Sequence, residues 1–343
     1  MRWSLARSVA RGSILRACLA IAVALLSGCA FQASDVVLIR EPGNRLYSDP
    51  QPVRDEARQL ADYAAMSANA YDSVWRDSTT LPRPRAVTSA GVDPEAVRRC
   101  EADPTPLPLD GWMRWSKPKF AFPSQALIDE SYEVGLFFEV WEKLNVDPPL
   151  IAIAFRGTEG DSWRDWATNF QWLLKWLPGW KDQYEVVRNG VRQELIAELA
   201  KRLREPDLAS RKPRIVTTGH SLGGGLAQQL AYALLDEASP PAIPAIAEVF
   251  AFDSSPVTGW YSVRDDLRHR NAEHLRIERV FEHGEALAFV RLLFSYLYPP
   301  SATAPAIAEV RFNFNQSWNP FGDHGMRGLA CHLQFEAEKA AAR

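Results

Sequence analysis

Cysteine is scarce in this chain, four in 343 residues, and histidine is hardly more common, at six. Neither occurs at the spacing of a metal site, so no metal and no cofactor are expected. Basic residues do not outnumber acidic ones. The formal net charge is −3, which lacks the electrostatic footprint of a nucleic-acid partner. Long apolar runs are missing too: the longest, Ala17 to Leu26, is too short to span a bilayer comfortably. No internal repeat and no second domain boundary are visible. The length and ordinary apolar content suit one large α/β domain with a sizeable core.

The start of the chain has its own pattern. Arg2, Arg7, Arg11 and Arg16 make a positive region without acidic residues, followed by the short apolar run. The run ends in Leu26-Ser27-Gly28-Cys29, which resembles a bacterial lipoprotein lipobox. That resemblance makes residues 1–28 a signal peptide and Cys29 the lipidated, membrane-anchored N-terminus. The alternative is an ordinary secretory signal in which Cys29 is incidental. Ala30, where Asp would favour the inner membrane, favours the outer membrane of a Gram-negative envelope. Cys18 would leave with the signal. Cys100 and Cys331 would then share a compartment that permits disulfides, either paired or as two buried thiols.

Residues 29–52 are expected to be a tether that becomes ordered as it joins the domain, and 53–343 a single domain. Val53 to Tyr71 reads as a helix with a small-residue face of Ala57, Ala61, Ala64, Ala65 and Ala68. Residues 72–123 are rich in proline and are expected to be irregular, with short helical turns. Glu133–Trp141 and Leu150–Phe155 read as a hairpin. Asp182–Leu203 reads as a long helix. Strands are expected at Arg214–Thr218, Glu248–Phe252 and Ile277–Phe281. A last strand alternates through Val310, Phe312 and Phe314, and Gly325–Ala342 forms a terminal helix. Strands alternating with helices predict a mostly parallel sheet covered on both faces.

Gly219-His220-Ser221-Leu222-Gly223 follows an apolar, β-branched stretch and precedes an Ala/Leu/Gln-rich one. Strand, tight turn and helix in that order make a nucleophile elbow. Glycine at 219 and 223 lets the chain turn sharply enough to push the Ser221 hydroxyl above the sheet. A serine nucleophile needs a base and an acid that orients it. Of the six histidines, His324 falls in the loop after the last strand, where the base belongs. Two acids follow strand ends, Glu285 and Asp253. The N–H of Leu222, next after the nucleophile, can supply one half of an oxyanion hole, and the Phe155-Arg156-Gly157-Thr158 loop the other, through Thr158.

The elbow, the Phe-Arg-Gly-Thr loop, the Asp165-Trp166 pair and the late histidine together resemble the class 3, fungal-type lipases. The resemblance runs from about Tyr132 to Leu333, and Val53–Tyr71 resembles that family's first helix. It implies an α/β-hydrolase fold, a lipid or ester substrate, Thr158 in the oxyanion role and a lid near Trp172, Trp176, Leu177 and Trp180. The family's aspartate position holds Glu285 here, so Glu285 is the first candidate acid and Asp253 the second. Triacylglycerol lipase or esterase activity is the expected function. Phospholipase A1 or acyltransferase activity on the same triad, or an inactive envelope interaction module, are the alternatives. Oligomeric state is not legible.

Overall fold

A computed structural model describes residues 35–71, 94–116, 119–157, 182–284, 301–315 and 325–339. Among these the strands are β1 (Val36–Arg40), β2 (Gln51–Pro52), β3 (Met113–Arg114), β4 (Phe138–Lys143), β5 (Leu150–Phe155), β6 (Arg214–His220), β7 (Ile246–Phe252), β8 (Arg276–Glu282) and β9 (Ala306–Phe312). They form one sheet in the order β2-β1-β9-β8-β7-β6-β5-β4-β3. The centre, β5 through β9, is parallel. The flanking strands β1, β2, β3 and β4 pair antiparallel. This is the α/β-hydrolase type of sheet.

The two-residue period of β5 explains how the faces are covered. Ile151, Ile153 and Phe155 point into one core; Ala152 and Ala154 point into the other. The first core is closed by α4 (Gln183–Val186), a π-turn at Val187–Val191, α5 (Arg192–Arg202) and α7 (Leu222–Ala233); α6 (Pro206–Ala209) follows α5, and α8 (Asp265–Ala272) lies against α7. The second is closed by α1 (Val53–Asn69) and the terminal helix α9 (Met326–Lys339). Ala57, Ala61, Ala64, Ala65 and Ala68 are all buried, so α1 lies close on the alanine side of the sheet. Ser67 reaches through to Thr218 of β6, Oγ to Oγ1 2.9 Å.

Several elements differ from the sequence-based expectation. Val36–Arg40 is a strand rather than tether: it pairs with β9 from Leu38↔Arg311 to Arg40↔Glu309, and Val37 is fully buried. Arg40 forms a buried ion pair with Glu309, whose carboxylate also accepts the Tyr47 hydroxyl at 3.0 Å. The proline-rich segment holds a helix, α2 (Pro94–Ala102). Regular structure before the hairpin starts with α3 (Gln125–Val134), not with a strand at Glu133. Ser124 caps that helix by accepting the Leu127 N–H at 3.1 Å, and Gly135 ends it at φ 69. β4 therefore begins only at Phe138. The long helix expected over 182–203 is interrupted by the π-turn, where a side chain at Gly190 would meet Leu127 at 2.8 Å. The final strand starts at Ala306 and ends before Phe314.

Cys100 and Cys331 form a disulfide, Cα to Cα 6.1 Å, tying α2 to α9. Arg327 adds a hydrogen bond to the Cys100 carbonyl at 3.0 Å. Residues 103–109 are held from the other side by Asn69, which exchanges two hydrogen bonds with the Leu107 backbone.

Candidate active site

Ser221 stands between β6 and α7 at φ 55, ψ −121, a backbone conformation that non-glycine residues rarely adopt. Such a conformation costs roughly 1–3 kcal/mol and persists only where the surroundings impose it. Here three backbone hydrogen bonds do so. Ser221 N–H donates to Phe252 O at 2.9 Å, and the Ser221 carbonyl accepts Ser255 N–H at 3.0 Å and Gly224 N–H at 3.1 Å. The two elbow glycines are required by close approach. A Cβ at Gly219 would run into the Gly223 backbone, and one at Gly223 into the Phe155 carbonyl.

That packing brings the end of β5 beside the nucleophile. A side chain at Gly157 would sit 3.2 Å from Ser221 Cβ. Leu222 opens α7, so its N–H belongs to the unpaired first turn of a helix. Leu222 and the Phe155–Gly157 stretch that precedes Thr158 therefore flank Ser221. Thr158 itself lies outside the described residues, as do Glu285, His324, Cys29 and the Trp172, Trp176, Leu177 and Trp180 segment.

Asp253 is described. It follows β7 at φ 40 and is fully buried. Its N–H donates to Val280 O at 2.8 Å and its Oδ1 accepts Glu282 N–H at 3.2 Å. The carboxylate thus faces the end of β8. Glu282, which the sequence did not single out, is also buried. Its Oε1 accepts Phe314 N–H at 2.7 Å and Asn315 N–H at 3.0 Å.

Tyr71 is a second residue that sequence reasoning missed. Its hydroxyl is 2.7 Å from Nδ1 of His220, and it occupies the space a Gly157 side chain would need. Its position at the end of a helix carried no signal, because the contact spans 149 residues. His332 stacks on Phe314, ring centroids 4.7 Å apart, and burial pushes its imidazole down to about 4. Burial first, and then the Arg311 charge, also lowers His283. Among the described residues, no group of three or more His, Cys, Asp or Glu is placed to hold a metal ion.

A mostly parallel sheet flanked by helices, with a strained serine between the central strand and its helix, defines an α/β-hydrolase. Residues 152–285 match the family model described as lipase (class 3), which supports a lipase-like serine hydrolase acting on lipid esters. The match spans Thr158, the elbow and Glu285; His324 and α1 lie beyond it. No curated protein matches the chain.

Proposed function

We propose that the chain hydrolyses carboxylic esters of lipids, with Ser221 as nucleophile, His324 as general base and Glu285 as the acid that orients it. The observation that carries this reading is the backbone of Ser221, held at φ 55 beside a helix start and the Phe155–Gly157 loop. In this mechanism the Ser221 hydroxyl attacks the ester carbonyl while His324 takes its proton. The negative charge forming on the carbonyl oxygen is met by the N–H groups of Leu222 and Thr158, aided by the dipole of α7. Collapse expels the alcohol, which takes the proton from His324. Water, activated by the same base, then releases the acid and frees Ser221.

Ser221→Ala tests the assignment. The fold should persist, while hydrolysis of a short p-nitrophenyl ester falls on the order of a thousandfold or more and labelling by a fluorophosphonate stops. Near-normal turnover in that variant rejects it.

Two further parts belong to the proposal. Trp172, Trp176, Leu177 and Trp180 form a lid or acyl-binding wall, on the strength of their composition and place after the oxyanion loop. Activity on a long-chain ester should then jump when the substrate aggregates; a smooth rise through the aggregation point rejects the lid. Lipidated Cys29 holds the enzyme on the cell envelope, on its outer membrane in a Gram-negative cell. Among the described residues no helix is long and apolar enough to cross a membrane.

A further inference from the structure

The strand ends around the nucleophile are joined by side chains where the backbone ladder stops. β7 and β8 pair as far as Phe252↔Val280, and β8 and β9 as far as Glu282↔Phe312. Beyond those points the chains leave the ladder and diverge, at the carboxyl ends where a parallel sheet binds its ligand. Divergence leaves buried N–H groups without ladder partners, which is costly unless something else accepts them. Two carboxylates do. Asp253 Oδ1 takes the Glu282 N–H, and Glu282 Oε1 takes the N–H groups of both Phe314 and Asn315. Asp253 is 0% and Glu282 1% exposed, so the Asp253–Glu282 bond is buried and the bonds to Phe314 and Asn315 are partly so.

The chain of contacts is continuous with the nucleophile. Ser221 N–H is bound to Phe252, the residue before Asp253, and the Ser221 carbonyl to Ser255 N–H, two residues after it. Glu282 stands three residues before Glu285, and Asn315 nine residues before His324.

We propose that Asp253 and Glu282 are positioning residues: their buried carboxylates space the loops that carry nucleophile, acid and base. This rests on the Ser221–His324–Glu285 reading. It assigns Asp253 a role other than orienting the histidine. A side chain of fixed length sets the separation of two loop roots that the backbone ladder no longer controls. Loss of the brace should shift His324 and Glu285 relative to Ser221. A displacement of about 1 Å between reacting groups can cost about a hundredfold in rate.

The experiment compares Glu282→Gln, Glu282→Met and Asp253→Gly with wild type and Ser221→Ala. Gln keeps an acceptor oxygen at Oε1; Met matches the size of the side chain and removes the acceptor. Asp253→Gly removes the first brace, and glycine accepts φ 40 without strain. Each folded variant is assayed for kcat and KM on a soluble ester and for its rate of fluorophosphonate labelling. Expected results are kcat lowered about tenfold or more in Glu282→Met and Asp253→Gly, with KM within about twofold, and kcat lowered less than about threefold in Glu282→Gln.

If Glu282→Met fails to fold, Glu282→Leu takes its place, and Asp253→Gly as inactive as Ser221→Ala overturns the positioning role of Asp253 by making it the acid. Wild-type kcat and labelling in the folded variants overturn the proposal and leave the carboxylates as structural caps. Glu282→Gln as inactive as Ser221→Ala overturns it differently, by making Glu282 the catalytic acid. If wild type itself neither labels nor hydrolyses, the triad reading fails and the positioning role falls with it.

Discussion

The hydroxyl of Tyr71 lies 2.7 Å from Nδ1 of His220, the residue immediately before the nucleophile. The rings meet edge-on, with centroids 5.7 Å apart. This contact joins the segment after α1 to the elbow. It also fills the space over Gly157, so one hydroxyl touches both the turn that presents Ser221 and the loop that leads to Thr158.

Tyr71→Phe should therefore affect both stability and rate, each modestly. A lost hydrogen bond costs about 0.5–1.5 kcal/mol, with the ring packing retained. The His220 ring is then less firmly held, and kcat should fall by less than about tenfold. Urea unfolding and steady-state kinetics on a soluble ester check the two parts. A variant with unchanged stability and unchanged kcat would show that the contact contributes nothing measurable.

Ser221 sits at a backbone position built for glycine. Ser221→Gly should release roughly 1–3 kcal/mol of backbone strain, offset by about 0.5–1 kcal/mol of added chain entropy in the unfolded state. The expected outcome is a protein about 1 kcal/mol more stable than wild type and without hydrolytic activity. The urea midpoint measures it, and a midpoint below that of wild type contradicts the strain account.

The elbow was legible from sequence because its requirements are local. Two glycines, a serine and the strand and helix patterns on either side all fall between Arg214 and Leu235. The parallel sheet was legible for the same reason: alternating strands and helices leave few topologies. What escaped notice depends on distant pairings. Tyr71 acquires its role from His220, and Glu282 from Asp253 and from Phe314 and Asn315. A lone Tyr or Glu carries no mark of such a partner. β1 carries a strand signal in its apolar run Val36-Val37-Leu38-Ile39, but a run that short joins the sheet only because β9 offers an edge. α3 escaped because its last turn runs almost directly into β4, and the end is marked by Gly135 alone.

The anchor is tested by Cys29→Ser. Wild type should partition into the detergent phase after phase separation, because several acyl chains on one cysteine hold a protein firmly to a bilayer. The variant should lose lipidation, while Ser221 chemistry persists in whatever form accumulates. Finding wild type wholly in the aqueous phase rejects the lipobox reading and leaves the hydrolase proposal untouched.

The choice of acid turns on two strand ends. Glu285 follows β8, one strand beyond Asp253, so its loop root stands next to the β9 end that leads to His324. It also occupies the position that holds aspartate in class 3 lipases, by the resemblance of the surrounding motif. The Asp253 carboxylate is fully buried and accepts a backbone N–H from Glu282, as a brace between the two strand ends does. An acid that orients the base stabilises its cation in the transition state, so its loss lowers kcat far more than it raises KM. Glu285→Gln should therefore give a large loss of kcat, on the order of a hundredfold or more. Asp253→Asn should give a smaller loss, since the amide oxygen can still accept the Glu282 N–H and asparagine tolerates a positive φ. The assay is kcat on a soluble ester, with folded content followed by circular dichroism. A folded, inactive Asp253→Asn beside an active Glu285→Gln would reverse the assignment and make Asp253 the acid.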